Sequence, residues 1–315
     1  MQVVRDMDWC PRPSQGTVVT VGAYDGVHRG HRAVIAEMHR MAAHLGAATA
    51  VVTFDPHPAM VVRPDSAPRL LTDLDQKLEL LRETGVDYTL VVRFDQERSQ
   101  ESPEDFVRGV LIDCLRARAV VVGEDFHFGR DRAGSTELLR TLGDEHGFDV
   151  HGMPLVEQQE GDATISSTAI RAALDDGDPG AARRMLGRHF EIRGVVTAGD
   201  RRGRTIGFPT ANVPTGPEMQ LPVDGVYACW YHRPDGTRLP AAVNVGKRPT
   251  FYDNAEQSLV EAHLIGFRGD VYDEPARVQF VERLRGEQRF DGIDALKAQL
   301  ALDVERAMEL LETAG

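Results

Sequence analysis

Short apolar runs alternate with helical patterns through the first half of the chain. The strand candidates are Val18–Val21, Ala50–Phe54, Tyr88–Val92, Ala119–Val122 and Asp149–Met153. The helix candidates lie near His31–Leu45, Asp73–Thr84, Pro103–Cys114 and Ser135–His146. Because the strand candidates are almost continuously apolar, they predict a parallel sheet that helices cover on both faces. Ligands of such sheets bind at the carboxyl ends of the strands.

The pattern changes after about Arg188, where short strands follow one another without helices between them. The candidates are Phe190–Ala198, Gly225–Trp230, Leu239–Val245, Leu259–Ile265 and Ala276–Arg283. Turn residues such as Pro234-Asp235-Gly236 separate them, which is typical of an antiparallel barrel or sandwich. Apolar residues then recur at three- and four-residue steps from Leu296 to Leu311, and they predict a closing helix packed on that sheet.

These two patterns predict two domains, residues 1–187 and 188–315. A chain of 315 residues is long enough for two cores, and 42% hydrophobic and 27% charged residues are ordinary for a globular protein. The net charge of -13 argues against nucleic-acid or anionic-membrane partners. It leaves room for anionic small substrates, because a few local cations and a metal ion can hold a phosphate.

The cysteines and the N-terminal residues indicate a cytoplasmic protein. Cys10, Cys114 and Cys229 are far apart and form no C-x-x-C pair, so we expect neither a disulfide scaffold nor a cysteine-rich zinc site. The first residues contain no apolar signal core, and no apolar run approaches the length of a membrane span. The sequence does not define the oligomeric state, and we expect a monomer or a weak homo-oligomer.

Two histidines flank a glycine directly after the first apolar run. His28 and His31 lie between the strand ending at Val21 and the helix near His31–Leu45. A strand, a glycine-bearing turn and a helix start form a natural phosphate site, because free N–H groups and the helix dipole favour an anion there. The histidines add donors for charge on a phosphate oxygen. The alternative is a surface turn that happens to hold two histidines.

Two further stretches belong to the same half. Residues 123–129, Gly-Glu-Asp-Phe-His-Phe-Gly, follow the fourth strand, and their aromatic rings could line a slot for a flat ligand. The alternative is a structural loop with a small aromatic cluster. Residues 165–171, Ile-Ser-Ser-Thr-Ala-Ile-Arg, open a helix whose hydroxyls, N–H groups and Arg171 could hold phosphates. An ordinary capped helix is the alternative.

The second half carries its own candidate chemistry in residues 203–212, Gly-Arg-Thr-Ile-Gly-Phe-Pro-Thr-Ala-Asn. Thr210 and Asn212 are two positions apart, so on an extended chain their oxygens face the same side. Hard oxygen ligands suit Mg²⁺ when nucleotide phosphates complete its coordination. A proline-containing turn with polar caps is the alternative.

The motifs of the first half resemble, in order and spacing, the adenylyltransferase half of the bacterial bifunctional riboflavin kinase/FAD synthetases. They are G-x-x-D-G-V-H-x-G-H, T-F-D-P-H-P, G-x-D-F-x-F-G and I-S-S-T-x-I-R. The resemblance implies a nucleotidyltransferase-like, Rossmann-type α/β domain that transfers AMP from ATP to FMN. It implies that His28 and His31 are catalytic. The residues implied to bind ATP or its phosphates are Gly22, Asp25, Gly30, Ser167, Thr168 and Arg171, and those implied to lie by the flavin are Asp125 and Phe128.

The second half resembles the riboflavin kinase module of the same family, a small antiparallel β-barrel with a C-terminal helix. Pro-Thr-Ala-Asn at 209–212, the stretch 243–251 and Val-Glu-Ala-His at 260–263 follow in the family order. The resemblance implies that Thr210 and Asn212 coordinate Mg²⁺ with ATP, that Gly207 contacts ATP, and that Glu261 takes the proton of the riboflavin 5′-hydroxyl. An alcohol, unlike a phosphate, benefits from a base.

The resemblance spans about Thr17 to Leu311 and implies a two-step enzyme. Riboflavin and ATP give FMN, and FMN and ATP give FAD and pyrophosphate. Three other readings stay open. The chain could keep one active half, it could bind flavin without turnover, or it could adenylylate another phosphate acceptor.

Overall fold

Two compact units make up the chain, Met1–Ser167 and Thr168–Gly315. The computed structural model describes residues 1–5, 7, 9–154, 164–198, 203, 206–247 and 258–313. Each unit has its own sheet and its own core. The domain boundary expected between residues 187 and 188 stays a prediction.

The first unit is built on a six-stranded sheet in the order β1-β4-β3-β2-β5-β8, with every neighbouring pair parallel. Its strands are β1 (Gln2–Arg5), β2 (Thr17–Val21), β3 (Ala48–Asp55), β4 (Tyr88–Arg93), β5 (Ala117–Gly123) and β8 (Asp149–Met153). Two short strands, β6 (His127–Phe128) and β7 (Gly134–Ser135), pair with each other. The five predicted strands are confirmed. The edge strand β1 was not predicted, because it contains only two apolar residues.

Helices cover both faces of this sheet. They are α1 (Arg29–Leu45), α2 (Pro58–Val62), α3 (Leu74–Glu83), α4 (Pro103–Phe106) and α5 (Thr136–His146), and α4 continues as a π-helical segment, Val107–Cys114. Successive residues of β2 enter opposite cores. Val18 packs with Ile35 and Met38 of α1, whereas Val19 packs with the cluster that includes Leu111. This alternation confirms the sheet covered on both faces that the apolar runs predict.

One expectation about the cysteines needs correction, because Cys10 is bonded to Cys114 across a sequence separation of 104 residues. The segment after β1 runs back along the end of the π-helical segment. There the backbone N–H of Arg12 donates to the carbonyl oxygen of Cys114 at 3.2 Å. The side-chain Nε of Arg12 donates to the carbonyl oxygen of Asp113 at 2.9 Å. Spacing along the sequence could not reveal this approach, because tertiary contacts between distant segments create it.

The second unit begins one residue into α6 (Ser167–Asp175), includes α7 (Pro179–Leu186) and continues as an antiparallel sheet. Its strands are β9 (Phe190–Val195), β10 (Ala211–Asn212), β11 (Gly225–His232), β12 (Arg238–Lys247), β13 (Ser258–Leu264) and β14 (Pro275–Arg285). The spatial order is β10-β13-β12-β11-β14-β9. A bridge between Thr197 and Asn212 joins the two edges, so the sheet curls into the small barrel that the sequence predicts.

The closing helix, α8 (Ile293–Thr313), packs across this sheet. Leu311 and Ala307 lie in a core with Ala228, Ala242 and Val281, which confirms the apolar stripe. Among the described helices, none combines the length and the apolar composition that crossing a membrane requires.

Candidate active sites

The two histidines lie where the strand order of the first sheet reverses. From β2 the chain continues to β3 on one side, whereas it returns from β4 to β5 on the other side of β2. In open parallel sheets, this switch point leaves a crevice that receives ligands. The histidine loop, residues 22–31, follows β2, and residues 124–128 follow β5. The structure therefore brings these two sequence motifs to neighbouring strand ends.

The backbone of the histidine loop is strained. Tyr24 and Val27 have φ of +51° and +38°, a region in which residues with a side chain are uncommon, and Gly26 has φ of +81°. Such conformations persist only where the surroundings enforce them, and they cluster at ligand-binding and active sites. The tyrosine is buried, and its hydroxyl lies 2.7 Å from that of Thr20.

Asp25 is one of the groups that enforce this conformation. Its buried carboxylate accepts hydrogen bonds from the N–H groups of Leu71 at 2.9 Å and Thr72 at 3.1 Å. The N–H of Gly26 donates to the hydroxyl of Thr72 at 3.1 Å. Asp25 therefore ties the loop to the segment before α3.

His28 is the N-cap of α1. Its Nδ1 accepts the N–H of His31 at 3.3 Å, so the ring proton resides on Nε2. The two imidazoles stack with centroids 3.6 Å apart and planes inclined by 17°. A Cβ on Gly30 would lie 3.1 Å from the His28 ring, so glycine at this position makes room for the stack. Gly22 is also close to an aromatic ring, since a Cβ there would lie 3.2 Å from Tyr24.

The segment around Ser167 reaches the same loop. Its hydroxyl donates to the backbone carbonyl of Asp25 at 2.9 Å. The carbonyl of Ile165 would lie 3.4 Å from a Cβ on Gly30. The two motifs thus meet at Ser167, the last residue of the first unit. Thr168 and Arg171 follow on α6 and belong to the second unit.

The loop after β5 presents its two predicted flavin residues differently. Asp125 is exposed, whereas Phe128 is 8% exposed and lies in the core, 5.8 Å from the Phe106 ring. The half-buried Phe126 stacks on Phe128 at 5.3 Å. Phe128 therefore supports the loop and offers little surface to a ligand. The flavin contacts of Asp125 and Phe128 stay a prediction.

Three of the predicted residues of the second unit line one cavity of about 800 Å³ between the curled sheet and α8. Thr210, Asn212 and Glu261 are all among its lining residues. Its walls also hold apolar side chains, including Val226, Leu259 and Leu300, and its size is within the range of small-molecule sites. Gly207 lies in the exposed turn before Phe208, with φ of +93°.

Glu261 stands at the centre of a polar row across three strands. Its register partners are Asn212 on β10 and Asn244 on β12. Directly opposed residues of an antiparallel sheet point to the same face, with Cβ atoms about 5 Å apart. Two amides therefore flank the carboxylate in the cavity. Thr210 lies two residues before Asn212 and lines the same cavity, as the period of two predicts.

A buried ion pair, which the sequence does not reveal, forms another part of the cavity wall. Arg285 on β14 binds Asp303 on α8 through two nitrogens, with Nη2–Oδ2 at 2.7 Å and Nε–Oδ1 at 2.9 Å. Gln299 also donates to Oδ1 at 2.9 Å. The sequence contained one sign of this pair, because Asp303 lies on the apolar face of the predicted helix, directly before Val304.

Some residues of the second-half motifs lie outside the described part of the chain. They are Arg204 and Thr205 of the first stretch and Arg248, Pro249, Thr250 and Phe251 of the second.

Two residues that line the cavity carry oxygen atoms of the kind that Mg²⁺ prefers. No group of three or more His, Cys, Asp or Glu side chains with metal-binding geometry occurs among the described residues. Thr210 and Asn212 supply one hydroxyl and one amide oxygen to the same cavity. Mg²⁺ is commonly held by a few protein oxygens together with phosphates and water, so this sparse donor set is suitable.

The first unit presents two stacked imidazoles at a helix start, and the second presents a carboxylate between two amides in a cavity. Such arrangements are typical of group-transfer enzymes. A family model described as FAD synthetase matches residues 10–169, and one described as riboflavin kinase matches residues 186–311. The chain belongs to the family of bifunctional riboflavin kinase/FMN adenylyltransferases.

Individual relatives agree with this assignment. The chain is 41% identical over 297 residues to the bifunctional riboflavin kinase/FMN adenylyltransferase of Escherichia coli K12, covering 94% of this chain and 93% of that protein. It is 38% identical to the Pseudomonas fluorescens protein of the same name, covering 98% of both.

A solved structure described as a macrolide-efflux protein from Streptococcus pneumoniae superposes with a TM-score of 0.86 at 29% identity, covering 98% of this chain and 99% of that one. The efflux description does not apply to this chain, because both family models and the curated relatives agree on flavin chemistry.

Proposed function

We propose that the second unit phosphorylates riboflavin to FMN and that the first unit adenylylates FMN to FAD, with ATP as the donor in both reactions. The family supports the two activities, and the family models for FAD synthetase (residues 10–169) and riboflavin kinase (residues 186–311) support their allocation to the two units. The observation that carries the proposal is the row Asn212–Glu261–Asn244, placed in one cavity with Thr210.

In the first unit, the FMN phosphate is already a nucleophile and attacks the α-phosphorus of ATP. The bond to the leaving pyrophosphate breaks, and negative charge on the transferring group must be neutralised. His28 donates from Nε2, the nitrogen that its capping bond leaves to carry the ring proton, and His31 packs against it. Catalysis by the histidines is thus alignment and charge stabilisation, with no base required. Gly22, Asp25, Gly30 and Ser167 of the first unit complete the proposed ATP-binding set there. The ATP contacts that the resemblance implies for Thr168 and Arg171 stay a prediction.

In the second unit, the nucleophile is an alcohol. Glu261 accepts the proton of the riboflavin 5′-hydroxyl while the hydroxyl oxygen attacks the γ-phosphorus of ATP. The bond between the γ-phosphorus and ADP breaks, and ADP leaves. Thr210 and Asn212 would hold Mg²⁺, which neutralises phosphate charge when bound. The strand register keeps the carboxylate in the cavity beside two amides, and a positioned acceptor is what general-base catalysis needs.

Other assignments also stay proposals of ours. They are the flavin contacts of Asp125 and Phe128, the ATP contact of Gly207, the cytoplasmic location, the monomer or weak homo-oligomer, and the absence of nucleic-acid partners. The net charge of -13 supports the last of these.

Replacing Glu261 with glutamine tests the kinase assignment. The variant keeps the side-chain shape but cannot take a proton, so FMN formation should fall by about 10²–10⁴-fold. FAD formation from supplied FMN should persist. Glu282→Gln, an exposed carboxylate on β14, is the matched control. Products are resolved by chromatography, and undiminished FMN formation by Glu261→Gln refutes the role.

Replacing His28 with asparagine tests the adenylyltransferase assignment. Asparagine is a good N-cap, so the helix start is preserved while the imidazole is lost. FAD formation should fall by about 10²–10³-fold, in line with the loss of one donor to transition-state charge, while FMN formation continues. Full FAD formation would refute the role of His28. Turnover of neither flavin by the native chain would favour a binding protein, and adenylylation without flavin would favour another acceptor.

A further inference from the structure

Lys77 on α3 is a buried lysine at the end of the first sheet, and none of the motifs contains it. The residue is 6% exposed. Burial lowers the pKa of its ammonium, while the negative charges of Asp25 and Asp55 oppose that shift. Removing a charge from water is costly unless hydrogen bonds replace its hydration. The structure supplies those bonds.

Three acceptors receive the three N–H groups of the ammonium. Nζ lies 3.1 Å from the carbonyl oxygen of Ala23, 3.2 Å from that of Phe54 and 3.4 Å from the hydroxyl of Thr53. The Thr53 hydroxyl itself donates to the Ala23 carbonyl at 3.0 Å. Because an ammonium has three donors, these contacts account for all of them.

The acceptors belong to two different strand ends. Ala23 lies in the histidine loop after β2, whereas Thr53 and Phe54 lie at the end of β3. Lys77 therefore joins the loop to the neighbouring strand, on the side where Asp25 joins it to Leu71 and Thr72. The loop needs such restraint, since Tyr24 and Val27 have positive φ.

We propose that Lys77 is a positioning residue for adenylyl transfer, which holds the histidine loop in the geometry that aims His28 at the transferring phosphate. The proposal rests on the proposed role of His28. Lys77 acts through the loop and donates nothing to the substrate. A misplacement of about 1 Å at a reacting group can cost about 100-fold in rate.

Lys77→Met removes the ammonium and keeps much of the side-chain volume. The turnover number for FAD formation should fall at least about tenfold. The Michaelis constants for FMN and ATP should stay within about twofold, because substrate contacts are intact. FMN formation by the same polypeptide should be unchanged. Thr53→Val, which removes one acceptor and one bond to Ala23, should give a smaller fall in the same parameter.

A matched control comes from the same strand. Thr49 also makes a buried hydrogen bond, from its hydroxyl to Asp87 at 2.8 Å, but at the other end of β3. Thr49→Val should leave the turnover number for FAD formation unchanged. Circular dichroism and thermal melting show whether Lys77→Met folds. If it does not, the turnover numbers for FAD formation of Thr53→Val and Thr49→Val are compared, and the proposal requires a fall in Thr53→Val alone.

A double-mutant cycle separates positioning from general stability. In the His28→Asn background, Lys77→Met should lower the turnover number for FAD formation by less than about threefold further, because the imidazole that Lys77 positions is already absent. The proposal would be overturned if Lys77→Met lowered the turnover number for FAD formation by the same factor in the native and the His28→Asn backgrounds. It would also be overturned if Lys77→Met and Thr53→Val both kept the full turnover number. Full FAD formation by His28→Asn alone would instead overturn the proposed function.

Discussion

Replacing Asp303 with alanine should lower the free energy of unfolding of the second unit selectively, because the buried guanidinium of Arg285 loses its carboxylate partner. The pair is buried, with 4% of the Asp303 side chain and 14% of that of Arg285 exposed. Asp303 accepts from two nitrogens of Arg285 and from Gln299. The pair joins α8 to β14 and thereby forms one wall of the cavity.

The size of the effect follows from the burial. Removing one partner of a buried ion pair costs about 3–5 kcal/mol, since an uncompensated charge stays inside. For a unit of this size, about 3 kcal/mol lowers the Tm by about 6–12 °C. FMN formation should be lost at a correspondingly lower temperature. The double variant Arg285→Met/Asp303→Leu should recover much of the loss, because replacing both partners with apolar groups leaves no buried charge.

Calorimetry, together with FMN formation after heating, measures this effect. The matched control is Glu309→Ala, which removes the ion pair of Arg306 and Glu309 on the same helix. Those side chains are 60% and 58% exposed, so the change should cost under about 0.5 kcal/mol. An equal loss in Asp303→Ala and Glu309→Ala would refute the reasoning. So would a double variant less stable than Asp303→Ala.

Three further predictions address other contacts. Asp25→Ala should lower the stability of the first unit by about 1.5–3 kcal/mol, through loss of charged bonds to Leu71 and Thr72, and should slow FAD formation but not FMN formation; unchanged melting and turnover would contradict this. Burial, with the charges of Arg183 and Arg238, lowers the pKa of His189. As the pH falls below about 6.5, the ordinary pKa of histidine, His189 takes up a proton more readily in the unfolded chain than in the folded one. The second unit should therefore lose stability as the pH falls from about 6.5 towards the lowered pKa of the folded state. His189→Asn should make the Tm of the second unit less dependent on pH in this range. Asn212→Ala should raise the Mg²⁺ concentration needed for FMN formation and leave that for FAD formation unchanged; equal shifts in both titrations would count against a magnesium role confined to the cavity.

The strands and helices were predictable where the apolar pattern was long and regular. β2, β3 and β5 are continuous apolar runs, and each lies within two residues of its predicted bounds at either end. β1 and β10 were missed because four- and two-residue strands carry too little periodicity to stand out. The Cys10–Cys114 bond was missed for a different reason, because it depends on a tertiary approach that spacing does not encode.

The candidate sites divide in the same way. Motif residues such as His28, Ser167 and Glu261 were found because their residue types and order are distinctive. Lys77 and Asp303 were missed because each is one polar residue on an apolar helix face, where its partner cannot be inferred. Lys77 follows Leu74 by three positions and precedes Leu78, so its place on the buried face was the only available sign.

The two sites also place their polar groups by different means, which has a consequence for variation outside the motifs. In the second unit, Asn212, Glu261 and Asn244 are aligned by strand register, and every ladder hydrogen bond contributes to that alignment. In the first unit, His28 depends on a strained loop that a few side chains from other segments restrain. Removing one restraint from a loop moves it more than removing one bond from a ladder. Substitutions remote from substrate should therefore impair FAD formation more often than FMN formation.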